Sequence, residues 1–580
     1  MDLRRGLARA ALIGVALLIA ASSALAQTAP SPSQVTPQSL APPTPDRAGA
    51  ITLPGVTTGA PPGADGFLVT VADVQVKGGD LTAPPAGVAD AILAAKRQLS
   101  GRTTKVSDIY AAAARIEAAY ARAGYVLTRV TLPPQRIVDG GTVKLLIVDG
   151  FIESVDVSGV PAQVRAAVRR RVAPLVGVRG LKLEQIERRV LLAGEAPGVQ
   201  LRSTLVPGAA VGATRLVLEA GDRLLSATLS ADNDQDVAYG YESTSAQIEF
   251  NSILGLGEQV YVQAANGSDL GHLFSGGPRR RILGAGAIVP IGDDGLTFNA
   301  EYTRADTHPN PAPGTLAVSG VYERLAFRAA YPLIETRRQT LDVTGSFELT
   351  SETQTAAAFG LPLSEDRLRI AGAALSYTTA LTPALSLTAS GQAAFGVAGL
   401  GARTQDDAAA SGVPLSRQGS RPDFDKLDGQ MRLTDRFGAG YSLSSVTIGQ
   451  ESFRGALPSS AQISLDNGAG LSSFAQGDNS VDSGVVERLE FARDLAFARP
   501  VGGLATPYVF GAAGYGHLYD PTALEAPDVD AWSFGAGLRL QLSVPAARIA
   551  GFGSIELSHG HATTLAASEN RITASVTFRR

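Results

Sequence analysis

The stretch QTLDVTGSFELT, Gln339 to Thr350, alternates almost without fault. Leu341, Val343, Phe347 and Leu349 share one face, and Asp342, Thr344, Ser346, Glu348 and Thr350 share the other. A period of two places successive side chains on opposite faces of a β-strand. The same pattern recurs from Arg223 to the C-terminus, in LSATLSAD (225–232), LTFNAEYT (296–303), LRLQLSV (538–544) and NRITASVTF (570–578). About sixteen such segments share the 358 residues from 223 to 580, roughly 22 residues for a strand and its connection. A membrane barrel, with strands of ~10 residues and alternating short turns and long loops, fits that spacing; a soluble sandwich turns every ~8–12 residues. In a barrel the apolar face meets lipid, and closure leaves no backbone group unpaired in the bilayer. The polar face then lines a lumen, where Asp342, Glu348, Glu301 and Arg539 point.

The N-terminus carries Arg4, Arg5 and Arg9, an apolar run from Ala10 to Leu25, and a small-x-small site at Ala24–Ala26. That pattern is a secretory signal peptide, 1–26, with Gln27 as the first mature residue; a permanent anchor helix is the alternative. No later run approaches the ~18 apolar residues of a membrane helix. The absence of cysteine excludes disulfide staples and thiolate metal sites. Without residues 1–26 the chain has 50 − 3 = 47 Lys+Arg and 54 − 1 = 53 Asp+Glu, a charge of −6. Residues 67–222 hold 20 basic and 14 acidic side chains (+6), and residues 223–580 hold 26 and 37 (−11). Two regions with different surroundings are implied.

Residues 27–66 contain nine prolines among Ser, Thr, Ala and Gly, and read as a Pro-rich linker, extended and mobile. A second reading threads this segment into a pore as a plug. Residues 67–222 read as two small α/β units, 67–150 and 151–222. The first has the strand FLVTVADVQVKG, helices over 87–98 and 106–123, and the strands YVLTRVTLP and TVKLLIVDG. The helix over 106–123 keeps helical spacing through Ile109, Ala113, Ile116 and Tyr120, and Gly124 ends it. The second unit repeats the order: FIESVDVSG, helices over 161–175 and 183–193, then VQLRSTLVPG and TRLVLEAG.

The run from Ala118 to Gly159, with Tyr120, Gly124, Tyr125, Pro133, Gln135, Gly140, Gly150 and Ile152, resembles the first POTRA domain of two-partner secretion transporters of the haemolysin secretion/activation type. Asn251, Leu254, Gly255, Leu256, Gly257 and Glu258 resemble the first hairpin turn of that family's barrel, and Tyr331, Pro332, Arg337 and Arg338 its mid-barrel hairpin. The resemblance covers about Phe67 to Phe578. It implies an α+β pair of POTRA domains followed by an all-β transmembrane barrel, 223–580, of about 16 antiparallel strands.

No nucleophile elbow, P-loop or His-Glu-x-x-His motif occurs, so an enzyme is not expected. His559 and His561 could share a strand face but have no third ligand nearby, and read as rim histidines. Arg165, Arg169, Arg170 and Arg171 form a basic start to a helix of the second POTRA unit. They read as a solvated face or as an electrostatic landing site for an unfolded acidic client. The loop 457–485 resembles the family's long lumen-entering loop. Its tip, Val-Arg-Gly-aromatic in the family, is Leu471, Ser472, Ser473 and Phe474 here, while Gly477, Asp478, Gly484, Arg488 and Glu490 match the family's residues beyond the tip. The family's Phe-x-Asp-x-Gly strand is Phe510, Ala512 and Gly514. Both the tip arginine and the strand aspartate are absent. The resemblance implies that Phe474 anchors the loop near Phe510 and Gly514, with Ser472 or Ser473 facing Ala512 and Asp478 free to accept a hydrogen bond.

The resemblance implies an outer-membrane pore that secretes an unfolded exoprotein client, with POTRA domains in the periplasm and no cofactor. Outer-membrane lipid and, during biogenesis, the barrel assembly machinery are the other expected partners. Nucleic acid is not expected, and the protein is expected to be a monomer. The alternative is a factor that assembles other outer-membrane proteins; a porin is a third reading, but a porin has no need of capture domains.

Overall fold

A computed structural model describes residues 29–42, 51–52, 59–79, 84–267, 277–311, 316–466, 468–497, 502–523, 525–544, 549–564 and 568–580. The expected signal peptide, 1–26, lies outside them.

The first α/β unit has a four-stranded sheet ordered Arg102–Lys105, Leu68–Gly78, Gly141–Val148, Arg129–Thr131. Two helices, α1 (Ala86–Leu99) and α2 (Val106–Arg122), pack against it through Val88, Leu99, Ile109, Ile116 and Tyr120. The register of Leu68–Gly78 slips between Val71 and Asp73, so that Val69, Val71 and Val74 all reach the core. Gly124 follows α2 with φ +93°, the left-handed conformation that a helix end asks of glycine. Arg102–Lys105 is a strand that polar RTTK does not announce. The expected strand 125–133 is cut to Arg129–Thr131, because Tyr125 to Thr128 turn out of α2 through a Thr128 N–H bond to the Tyr125 carbonyl.

The second unit repeats the plan. Its sheet runs Ile51–Thr52, Val199–Pro207, Ala213–Asp222, Phe151–Gly159, with α3 (Ala162–Val172) and α4 (Leu183–Gly194) packed on it. Ile51 and Thr52, from the Pro-rich segment, add a short parallel strand opposite Ser203 and Thr204.

From Leu225 to Arg579 the chain closes into one antiparallel barrel. It has sixteen strands, counting Ser483–Arg493 and Leu495–Phe497 as one strand interrupted at Asp494. Glu569–Arg579 closes the ring against Leu225–Asp232. In Gln339–Ala356 the buried Thr340, Thr350 and Glu352 all belong to the polar face, and Glu348 reaches Arg328 across the lumen wall at 3.1 Å. Glu301 and Arg539 point inward too; Arg539 grips Glu490 with two bonds of 2.5 and 2.6 Å. Leu229, Leu375, Phe534 and Ile572 stand outward, each more than half exposed. So many exposed large apolar side chains suit lipid as the outer solvent.

Candidate functional site

The lumen is filled by two pieces of the chain's own backbone. The first is the loop between Tyr441–Ser452 and Ser483–Arg493. Its base is fixed by Asp482, fully buried, whose carboxylate pairs with Arg417 at 2.6 Å and accepts the N–H groups of Leu457 and Tyr519. Its middle drops into the barrel, where Leu465, Leu471, Phe474 and Val481 pack on Val486, Ala512, Val529, Ala531 and Ala562 of the wall.

Polar contacts hold the tip. Arg488 donates from the wall to the Ser472 hydroxyl at 3.1 Å and to the Gly470 carbonyl at 3.4 Å. Its other nitrogen pairs with Glu556 at 2.7 Å, and the guanidinium lies 3.6 Å over the Phe510 ring. Tyr508 donates to the same Glu556 oxygen at 2.7 Å, so the carboxylate is held from two sides. Ser473 and Ser533 hydroxyls meet at 2.6 Å, and Ser558 donates to the Ser472 carbonyl at 3.2 Å. A missing tip arginine therefore does not leave the loop unheld: the cation comes from the wall.

Several expected contacts differ. Phe474 does pack in the cluster that contains Ala512, but Phe510 sits elsewhere, with Ala492 and Tyr508 beneath Arg488. Leu471 takes the place opposite Gly514, where an added Cβ would lie 3.3 Å from Leu471 Cδ1. Ala512 is the ladder partner of Arg488, so the wall cation stands beside it. Asp478 caps the loop's own turn, accepting the Ala475 N–H at 2.9 Å. Gly477, at φ +95°, abuts Pro30, 2.9 Å from where a Cβ would stand.

Pro30 belongs to the second occupant, residues 29–42. Composition reads this stretch as a linker, with a plug as the second reading, and here Val35 and Leu40 are buried inside the barrel. Arg280 donates twice to the Val35 carbonyl (3.2 and 2.7 Å), Arg324 to that of Pro37 (2.9 Å) and Arg328 to that of Gln38 (3.1 Å). The Leu40 N–H donates to Glu301 at 2.9 Å, and Ser33 donates to Glu352 at 2.5 Å. Gln476, on the loop, donates to the Gln34 carbonyl at 3.2 Å, so the two occupants touch.

Residues 212–540 match the family model for the haemolysin secretion/activation protein ShlB/FhaC/HecB, and residues 69–150 match a POTRA domain of ShlB type. The chain belongs to the haemolysin secretion/activation family. A similar curated protein is the heme/hemopexin transporter protein HuxB of Haemophilus influenzae, 26% identical over 162 residues, which are 28% of this chain and 28% of that one. Among solved structures, CdiB from Escherichia coli is similar with a TM-score of 0.69 at 18% identity, covering 91% of this chain and 93% of the other. CdiB from Acinetobacter baumannii gives 0.58 at 12% identity, covering 99% and 96%. These two likenesses speak for the fold.

In this member of the family the second α/β unit docks on one rim of the barrel. Arg170 pairs with Asp293 at 3.1 Å, Arg189 with Asp294 at 3.2 Å, and Arg188 donates to the Pro332 carbonyl at 2.8 Å. Glu187 receives Arg337 at 2.8 Å. The expected basic helix start needs correction: α3 ends at Val172, so Arg169, Arg170 and Arg171 occupy its last turn, where the helix dipole favours cations. Arg171 is buried and donates to the Leu192 carbonyl at 2.9 Å; burial holds its guanidinium below the usual range. Arg171 is thus part of the core and Arg170 of the docking contact, which leaves Arg165 and Arg169 exposed.

Proposed function

We propose that this outer-membrane barrel is the pore of a two-partner secretion system, carrying one unfolded exoprotein partner outward. A lumen filled by two chain segments, each held by side chains that can release it, carries this reading: such a pore is closed at rest and opens to a passage wide enough for an extended chain. The POTRA units stand in the periplasm in this reading, and Arg165 and Arg169 offer an acidic client a first contact. An extended client strand can add to a POTRA sheet edge through main-chain hydrogen bonds, a mode that reads little sequence. No nucleotide or cofactor is invoked; folding of the client outside makes return unfavourable. The protein acts as a monomer, inserted by the barrel assembly machinery.

Removing the gene and comparing exported proteins tests this reading. One large exoprotein should vanish from the medium or cell surface, and unchanged export would refute it. The short seam, with five ladder pairs between Thr228–Asp232 and Ser575–Arg579, favours a second reading as an assembly factor that opens sideways. Loss of many unrelated barrel proteins in the same experiment would select that reading.

A further inference from the structure

We propose that the lumen wall carries a binding track for polypeptide main chain, occupied here by residues 30–40 and taken in turn by the chain in transit. This inference rests on the secretion reading above and names the chemistry that the pore recognises.

The hydrogen bonds to residues 30–40 are directed mainly at backbone. Eight hydrogen bonds from wall or loop side chains reach main-chain atoms: those of Arg280 (two), Arg324, Arg328, Glu301 and Gln476 given above, with Tyr239 to the Pro30 carbonyl and Gln247 to the Leu40 carbonyl at 3.3 Å. Two reach side chains, Glu352 to Ser33 and Glu301 to Ser39. Recognition by carbonyl and N–H is indifferent to sequence, since every residue offers the same carbonyl.

The track is built in advance. Glu301 is braced by Arg324 at 2.9 Å, Arg328 at 3.5 Å and Tyr261 at 2.8 Å, so its position does not depend on the segment. Arg280 is buried and has no ion-pair partner among the described residues; its acceptors are the Val35 carbonyl and the Ser243 hydroxyl at 3.1 Å. A buried guanidinium stripped of its acceptor is costly, so departure of the segment leaves a site that favours another peptide carbonyl. Glycines in the wall leave hollows beside the arginines. A Cβ on Gly284 would collide with Leu40 Cδ1, and one on Gly320 with Pro32 Cγ. Side chains of a passing chain have room there.

The test uses the protein lacking residues 29–42, in detergent, with two fluorescein-labelled synthetic peptides followed by anisotropy. One is residues 29–42; the other is the same composition scrambled. Both should bind, with affinities within about threefold of each other, and Arg280→Gln should weaken both by about tenfold or more. Should Arg280→Gln fail to assemble, as judged by heat-dependent gel mobility, Arg328→Gln at the more open end of the row replaces it. Binding of the native-order peptide alone would mean a socket for the chain's own segment and overturn the proposal. So would the absence of binding by either peptide, or affinities unmoved by the arginine variants. No exported partner enters this assay, so its failure leaves the secretion reading standing, whereas an unchanged exoproteome would remove the chain in transit as the occupant even where both peptides bind.

Discussion

Replacing Arg488 with alanine should loosen the hold on the lumen loop, so that it leaves its docked position more often, without dismantling the barrel. Arg488 meets the loop through the Ser472 hydroxyl at 3.1 Å and the Gly470 carbonyl at 3.4 Å, and its 2.7 Å pair with Glu556 fixes it in place. A hydrogen bond to a charged group contributes about 1.5–3 kcal/mol net, and each 1.4 kcal/mol is tenfold, so losing one shifts the docked–released equilibrium roughly 10- to 150-fold. The apolar packing of Leu471 and Phe474 remains, as does the Ser473–Ser533 contact, so the loop stays mostly docked and the change is one of rate. The chain has no cysteine, so Ala475→Cys, at a buried site beside the tip, places a single thiol there. Maleimide labelling of that thiol reports release. Arg488→Ala should speed labelling within the 10- to 150-fold range, while heat-dependent gel mobility shows an assembled barrel. Glu556→Gln is the control: its amide oxygen can still accept from Arg488, Glu490 at 3.7 Å remains as counter-charge, and Arg488 stays on Ser472, so labelling should rise less than in Arg488→Ala. Labelling within twofold of the parent in Arg488→Ala, or an equal rise in Glu556→Gln, would refute the reasoning.

Residues 67–222 expressed alone should be soluble, folded and monomeric, because each unit has its own core; a random-coil circular dichroism spectrum would contradict this. The double variant Asp293→Ala, Asp294→Ala should leave assembly intact, since exposed pairs contribute only ~0–1 kcal/mol each. It should still hasten proteolysis at the junction near Arg223 by a few-fold, and an unchanged cleavage rate would show that Arg188 and Arg337 suffice for docking. Deleting Arg579 and Arg580 removes one of five seam pairs and the reciprocal Arg580–Ala227 backbone bonds. Insertion should survive with a lower unfolding temperature, whereas deleting Phe578 as well should abolish insertion; equal insertion for both truncations would be the contrary result.

Much of this architecture is local in origin. The alternation in Gln339–Thr350 depends only on neighbours in sequence, and it correctly sends Glu348 inward and Leu349 outward. The helical spacing of Ile109, Ile116 and Tyr120, and Gly124 after them, likewise mark α2 and its end. Resemblance adds the lumen loop, but not what holds it. Arg488 reads as one more polar-face residue of a strand, and only closure of the barrel brings Glu556, 68 residues later, to its guanidinium.

The Pro-rich segment shows the limit most clearly. Nine prolines and no periodicity describe a linker whether it floats or lies in a lumen, because the wall holds residues 30–40 chiefly by carbonyls that every residue carries. Such binding leaves no side-chain pattern in the bound stretch. Arg280, Arg324 and Arg328 lie some 245 to 290 positions away from what they hold. Sequence by itself determined the alternating barrel strands, their inward and outward faces and the two α/β units, since those follow from side-chain order over short spans. The wall contacts that hold residues 30–40, the cation that secures the loop and the rim on which the second unit docks were decided by the tertiary structure alone, since each depends on distant residues that meet only when the barrel closes.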